Sequence, residues 1–272
     1  MLMQRPLFAL VRMPSSSLML LRTFGAGLLL LSIACAQSLT ESTTAQFADQ
    51  EQRPVAPDTS GYERRGPQDP NGISKYYLGR QIAHVMGHEG ASWLERSDRR
   101  EEEGTDVLLR ELKLKPTDVV ADIGAGTGFF TFRISPLVPK GKVLAVDIQP
   151  EMLAALRETK TRTKATNVEP VQGTTQNPNL PANSVDLVLI VDAYHEFDHP
   201  REMMRSIRQS LTPNGRVALV EYRAEDPNVP IKRIHKMSVA QARREMAAVG
   251  LELADTVETL PQQHLMFFRR AR

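Results

Sequence analysis

The segment Val119-Val120-Ala121-Asp122-Ile123-Gly124-Ala125-Gly126-Thr127-Gly128 constrains this chain more than any other. A short apolar run that ends in an acid and alternate glycines reads as a buried strand. The loop after it lets the backbone approach a nucleotide-like ligand before the next helix begins.

Downstream of this loop, strand and helix patterns alternate, which builds a parallel sheet. The expected elements are strand 119–123, helix 128–137, strand 142–147, helix 150–160, strand 168–172, strand 185–191, helix 200–211 and strand 215–222. Thr212-Pro213-Asn214-Gly215 reads as the turn before the last of these. Ser238 is placed to cap a further helix that closes at Gly250, and 251–257 and 265–269 read as two final strands. Upstream, Tyr76, Tyr77, Ile82, Val85 and Met86 suggest a short helix, and a second is expected over 98–112. Glu101-Glu102-Glu103 reads as the solvated start of that second helix.

The first 36 residues carry Arg5, Arg12 and Arg22, no acid, and an apolar stretch ending in Ala34-Cys35-Ala36. This is the pattern of an export leader or membrane anchor. Leu31-Ser32-Ile33-Ala34-Cys35 also resembles a lipidation box. An exported or membrane-anchored location is expected, and a cytoplasmic one if the start site lies elsewhere. Residues 37–72, polar and broken by proline and glycine, read as a flexible tether, and 73–272 as one domain. That domain divides into lid helices at 73–116, a cofactor-binding core at 117–222 and a C-terminal cap at 223–272. The leader holds three of the 34 basic residues, so the remainder carries 31 against 32 acidic ones, and the net charge of +2 falls to −1. A nucleic-acid partner therefore has no electrostatic support. Cys35 is the single cysteine, which excludes an intrachain disulfide and protein-thiolate chemistry.

Spacing narrows the ligand. A dinucleotide fingerprint, G-x-G-x-x-G, would put its third glycine at residue 129, which is Phe129. The chain has Gly124, Gly126 and Gly128 instead. The next strand ends in Asp147, whose carboxylate can accept hydrogen bonds from both hydroxyls of a ribose.

Residues 119–222 resemble the cofactor half of class I S-adenosylmethionine-dependent methyltransferases. The first motif is similar to Val-Val-Ala-Asp-Ile-Gly-Ala-Gly-Thr-Gly, the second to Ala-Val-Asp-Ile, and the fourth-strand entry to Asn183-Ser184-Val185-Asp186-Leu187-Val188. Ile207 to Arg216 resembles the family's R-x-L-K-P-G-G turn, with Asn214 in place of a glycine. The resemblance implies an α/β, Rossmann-like, seven-stranded, mostly parallel sheet with helices on both faces and an antiparallel C-terminal strand pair. It implies S-adenosyl-L-methionine as cofactor, with Gly124, Ala125, Gly126 and Gly128 forming the loop that cradles the methionyl part. Asp122 would order that loop or bind the amino group. Asp147 would hold the ribose, Ile148 and Met152 would line the adenine, and Thr174 would sit at its edge, where family members often have Asp. Asp192 would face the methionine end, or be a cap or loop residue.

The implied reaction is an in-line displacement at the sulfonium methyl, for which the protein supplies alignment and a dry site. A base is needed when the nucleophile arrives protonated, and His195 is the best candidate. Glu221 and Tyr222, at the end of the next strand, face the same rim. Tyr76, Tyr77, Arg80, His84, His88 and Trp93 form an expected substrate lid, and 223–236 a second specificity loop. His84 and His88 have helical metal-ligand spacing but lack a third ligand, so no metal is expected. The acceptor expected is a small molecule, or a lipid or quinone reached at the membrane. Two other functions fit part of the pattern: a binding protein that holds the cofactor or its demethylated product without turnover, and a nicotinamide oxidoreductase, which Phe129 disfavours.

Overall fold

The computed structural model describes residues 60–272, so the expected leader, Cys35 and the tether as far as residue 59 lie outside the described residues. The described chain opens with an antiparallel meander of β1 (Tyr62–Arg64), β2 (Gly72–Tyr77) and β3 (Arg80–Ala83). This corrects two expectations. The helix read from Tyr76 to Met86 is mostly strand, and the end of the expected tether already pairs, Tyr62 with Tyr77 and Arg64 with Lys75. The Leu78-Gly79 turn is the reason. Both residues have positive φ, 47° and 88°, the two-residue geometry that matches strand twist. Tyr76, Tyr77 and Ile82 are then buried as strand residues.

Three short helices follow: α1 (Ala91–Leu94), α2 (Arg99–Glu102) and α3 (Thr105–Glu111). The single helix expected over 98–112 is broken at Gly104, which adopts φ 63° and lies where a Cβ would meet Pro261 at 2.8 Å. The main domain then runs β4 (Val119–Ile123), α4 (Thr131–Ile134), β5 (Lys142–Asp147), α5 (Pro150–Thr163), β6 (Val168–Gln172), β7 (Val185–Val191), α6 (Pro200–Ser210) and β8 (Leu211–Arg223). It ends with β9 (Lys236–Met237), α7 (Val239–Ala247), β10 (Leu251–Val257) and β11 (Gln263–Arg270). Local chemistry sets these boundaries. Pro150 and Pro200 open their helices at the first turn, where a missing N–H costs nothing. Ser238 accepts a hydrogen bond from the Gln241 amide at 3.1 Å, and Gly250, at φ 76°, turns the chain after α7.

The main sheet has the order β10-β11-β8-β7-β4-β5-β6, with the two-residue β9 beside β8. Strands β4 to β8 are parallel and β11 is antiparallel to both its neighbours. This is the expected seven-stranded architecture with its antiparallel C-terminal pair, plus β9. Thr212 to Gly215 is a bulge within β8, since Val185 pairs with Leu211 but Leu187 with Arg216. Alternate residues of each strand feed two cores. Ile123, Val146, Ile190 and Leu219 pack against Met204 and Ile207 of α6 and Met246 of α7. On the other face Val120, Ala145, Leu189 and Val220 pack against Leu108 of α3 and Leu153 and Leu156 of α5. Each fully buried aliphatic side chain contributes about 1.5–3 kcal/mol.

Connections leave β4 toward β5 on one side, whereas β7 lies on the other. At such a switch point the carboxyl ends of the strands splay around a crevice. The asymmetry of the sheet thus positions a cleft before any side chain is considered.

Candidate active site

A cleft of about 550 Å³ opens over the carboxyl ends of β4, β5, β7 and β8. Its first end is built by the glycine loop. Gly124 and Gly126 line it with φ of 73° and 56°, where Cβ atoms would come within 2.9 Å of Ala193 Cβ and 2.7 Å of Leu94 Cδ1. The loop amides do not point outward. Gly124 and Ala125 both donate to the Val146 carbonyl, at 2.9 and 3.0 Å, and Gly126 donates to Asp147 Oδ2 at 2.9 Å. The loop's contribution is therefore close approach rather than a nest of donors.

Two members of the expected loop set stand away from the cleft. Ala125 is packed in the core beside Phe129, and a Cβ on Gly128 would collide with Phe132 at 2.5 Å and Leu156 at 2.8 Å. Asp122 is also behind the wall. Its Oδ2 accepts from the Thr131 hydroxyl at 2.6 Å, which ties the strand to α4 and fits the ordering role rather than direct contact with an amino group. Burial pushes its carboxyl up to about 6, although the Thr131 hydrogen bond opposes that shift.

Asp147, Ile148, Met152 and Thr174 all line the cleft. Asp147 Oδ1 accepts from the Gln149 amide at 2.9 Å, so each carboxylate oxygen is pinned by one backbone N–H and keeps a second lone pair for a ligand hydroxyl. Thr174 is bound into its own turn, accepting from the Asn177 amide at 2.9 Å.

The middle of the cleft is acidic. Asp192 adopts φ 48°, a left-handed conformation that Asp tolerates better than most residues. One of its oxygens accepts from Gln263 Nε2 at 2.8 Å, and the other, Oδ1, is buried without a partner among the described residues. Burial and the neighbouring Glu103 and Glu221 raise its carboxyl well above the ordinary range. An orphaned carboxylate oxygen calls for a donor or a cation. Beside it, Arg99 sits over the Phe129 ring at 4.3 Å and pairs with Glu103 at 3.0 Å. Glu103 also binds Arg96 at 2.8 Å and accepts from the Tyr222 hydroxyl at 3.2 Å. Glu103 is thus buried, against the solvated reading of the 101–103 run.

At the second end, His195 sits in a 3₁₀ turn, Tyr194–Glu196, after β7. Its Nδ1 is 2.7 Å from Glu221 Oε2, and its own backbone amide donates to Glu221 Oε1 at 3.2 Å. Its Nε2 faces His235 Nδ1 at 3.1 Å. Burial pulls the His195 pKa down, but the Glu221 carboxylate outweighs it and the net shift is upward. Burial and the charge on His195 lower His235. His195 and Tyr222 line the cleft, whereas Glu221 stands behind His195 and is fully buried.

The lid expectation is corrected in part. His84 and Trp93 line the cleft. Tyr76 and Tyr77 are buried strand residues, and His88 lies off the cleft, half exposed, 3.8 Å from Glu89. His84 and His88 do not share a helix face, because one follows β3 and the other opens a 3₁₀ turn. Arg80 works from behind, pairing with Glu245 at 2.7 Å and donating to the His195 carbonyl at 3.0 Å. The expected specificity loop does reach the site, through Pro230, Ile231, Lys232 and His235. Sequence reasoning missed Arg99, Glu103, Glu196 and His235 as individuals. Glu196 adjoins His195 and His235 lies in the specificity loop, so the only signal was adjacency.

Residues 121–217 match the family described as Methyltransferase domain. An uncharacterized methyltransferase-like protein of Schizosaccharomyces pombe is 38% identical over 134 residues, 49% of each chain. A ubiquinone/menaquinone biosynthesis C-methyltransferase of Ectopseudomonas mendocina is 32% identical over 111 residues, 40% of this chain and 43% of that one. The chain spans about half the length of the curated relatives it matches. In fold it is similar to a SAM-dependent methyltransferase from Aquifex aeolicus, with a TM-score of 0.64 and 23% identity over 68% of this chain and 98% of that one. The methyl donor named for that Aquifex protein is S-adenosyl-L-methionine. The residues present fit it: a glycine cradle that a Cβ would fill, a pinned acid with free lone pairs, and an orphaned buried carboxylate oxygen suited to a cationic group.

Proposed function

We propose that this chain transfers a methyl group from S-adenosyl-L-methionine to an apolar small molecule, or a lipid- or quinone-like acceptor, that enters as a protonated nucleophile. The observation that carries this reading is the Glu221–His195–His235 chain, which stands in the same cleft as the glycine loop and Asp147. An acceptor already carrying a free lone pair would need no such chain.

When bound, the cofactor supplies an electrophilic methyl on a sulfonium centre. Everything else belongs to the protein. Asp147 would hold the ribose hydroxyls, Ile148 and Met152 would flank the adenine, and Asp192 Oδ1 would meet the methionine ammonium. With His195 Nδ1–H donating to Glu221, His195 Nε2 accepts from His235 Nδ1–H, and His235 Nε2 is left as the lone pair that takes the acceptor's proton. Passing the Nδ1 proton inward leaves the positive charge on His195, beside Glu221, where the upward shift of its pKa favours it.

Apolar rim residues support the acceptor class: Val85 is 45% exposed and Trp93 51%, both at the cleft. The leader pattern supports work at a membrane surface, which fractionation of the expressing cell tests; a wholly soluble protein would remove that part. No helix among the described residues is long and apolar enough to cross a membrane. The reading is tested by incubating the chain with methyl-labelled cofactor and fractionated lipid and polar extracts. Label in an organic-phase product, lost in His195→Ala, is expected. Tight binding of cofactor with no labelled product from any extract would favour the binding protein instead.

A further inference from the structure

We propose that His195 Nε2, His235 Nδ1 and Glu196 form a divalent transition-metal site in the floor of the cleft. The three ligand atoms lie within 4.8 Å of one another. No pairwise sequence spacing announces them, since the two histidines come from turns 40 residues apart.

Three observations carry the assignment. The first is separation. Two imidazole nitrogens bound to one ion at 2.0–2.1 Å, with angles between 90° and 110°, stand about 2.8–3.4 Å apart. His195 Nε2 and His235 Nδ1 are 3.1 Å apart, with Glu196 Oε1 3.8 Å from the former.

The second is the shell behind the ligands. A metal-bound histidine ordinarily donates its other ring N–H to a carboxylate, which sets the tautomer and the ring orientation. Glu221 does this for His195 at 2.7 Å, is itself held by the His195 amide, and is fully buried. Glu196 is oriented in the same way. Its Oε2 accepts from the Met86 amide at 3.2 Å, which leaves Oε1 for the ion.

The third is charge. Two carboxylates, Glu196 and Glu221, converge on this spot, and the side chains of Arg80 and Lys232 pair with other groups rather than with either carboxylate. Arg80 is paired with Glu245, and Lys232 Nζ donates to Asn71 at 2.8 Å. A divalent ion balances the pair.

Two imidazoles and one carboxylate, with positions open to the cleft, suit Zn²⁺ and its first-row neighbours rather than Mg²⁺ or Ca²⁺. The site's existence does not depend on the methyltransferase reading, but its use rests on that reading. An acceptor hydroxyl bound to the ion loses its proton to water and presents an alkoxide or phenolate. That oxygen then forms the new C–O bond while the C–S bond breaks. Ion and proton are alternative occupants of the space between the two imidazoles.

The experiment uses the tag-free full chain, stripped with chelator, without cofactor or acceptor. Titration with Co²⁺ is followed by visible absorption, and Zn²⁺ by competition. One equivalent of Co²⁺ with the absorption of a four- or five-coordinate site is expected. His235→Ala and Glu196→Ala should each weaken it at least tenfold, and Glu221→Gln by about 10- to 100-fold. His235 is half-buried on a 3₁₀ turn, so its replacement leaves the core intact, and a thermal unfolding curve verifies this. Absence of stoichiometric Co²⁺ binding, or binding unchanged in His235→Ala, would overturn the proposal. Titration with S-adenosylhomocysteine runs in parallel: product binding without metal sinks the metal site alone, and metal binding without product sinks the methyltransferase reading alone.

Discussion

The two ends of the cleft are made in different ways. The cofactor end is local: Asp122, the glycine loop and Thr131 lie within ten residues, and Asp147 and Gln149 hold it through backbone amides. The other end, proposed above as the acceptor end, is assembled from β2–β3, the turn after β7, the tip of β8, the 223–236 loop and α7, whose Glu245 anchors Arg80. A backbone-built site is written in a contiguous motif; a side-chain-built site is written only in the fold. Substitutions should therefore separate the ends, with the transfer rate responding at one and affinity for the cofactor product at the other.

The sharpest separation comes from Glu221→Ala. Removing the carboxylate behind His195 leaves that imidazole without its orienting partner and removes the group that raises its pKa. The methyl-transfer rate should fall about 10²- to 10⁴-fold, the range of a lost acid–base function. Affinity for S-adenosylhomocysteine should change less than about threefold, well under 1 kcal/mol. A parallel loss of affinity would mean that the ends are not separable.

Arg80→Met tests whether the acceptor end is held at long range. Arg80 is bidentate with Glu245, whose side chain is fully buried and also accepts from the Tyr194 hydroxyl at 2.8 Å. Breaking the pair strands a buried carboxylate, at a cost of about 3–5 kcal/mol in unfolding free energy. Denaturant titration reads it directly. A loss under about 1 kcal/mol would show that the meander does not buttress the site.

This contrast also explains what could be read from the sequence. The parallel core was legible because β4, β5 and β7 are apolar runs with distinct ends, and because Pro150, Pro200, Ser238 and Gly250 mark helix limits chemically. The position of Asp147 at the cleft was legible because the residue ends a strand. The meander was not, because Leu78 adopts a left-handed φ that its type gives no reason to expect. Without that turn, Tyr76, Tyr77 and Ile82 pass for one helical stripe. Glu103 was misread because its burial depends on Arg96, Arg99 and Tyr222, and Tyr222 is 119 residues away.

At the cofactor end, Asp147→Ala should weaken S-adenosylhomocysteine by about 1–3 kcal/mol, the scale of hydrogen bonds to a charged group. The same change frees the Gly126 amide, so isothermal titration should be paired with Asp147→Asn, which keeps an acceptor for that amide. Equal affinity in wild type and both variants would remove Asp147 from the site.

The smallest effect isolates the strand that both ends share. Asp122 keeps its proton in the folded chain up to a pH of about 6, mainly because burial penalises its charge. The unfolded chain gives up that proton at ordinary carboxylate pH. Between about pH 4 and 6 the native state therefore holds more protons than the unfolded state, so this residue's contribution lowers stability as pH rises through that window. Asp122→Asn removes the titration while leaving an oxygen to accept from Thr131. Relative to wild type, the variant should gain about 2 kcal/mol between pH 4 and 7, read from urea unfolding at the two pH values. A difference that is flat with pH would mean that water or a cation reaches Asp122, and that this acid belongs to the cleft rather than to the wall behind it.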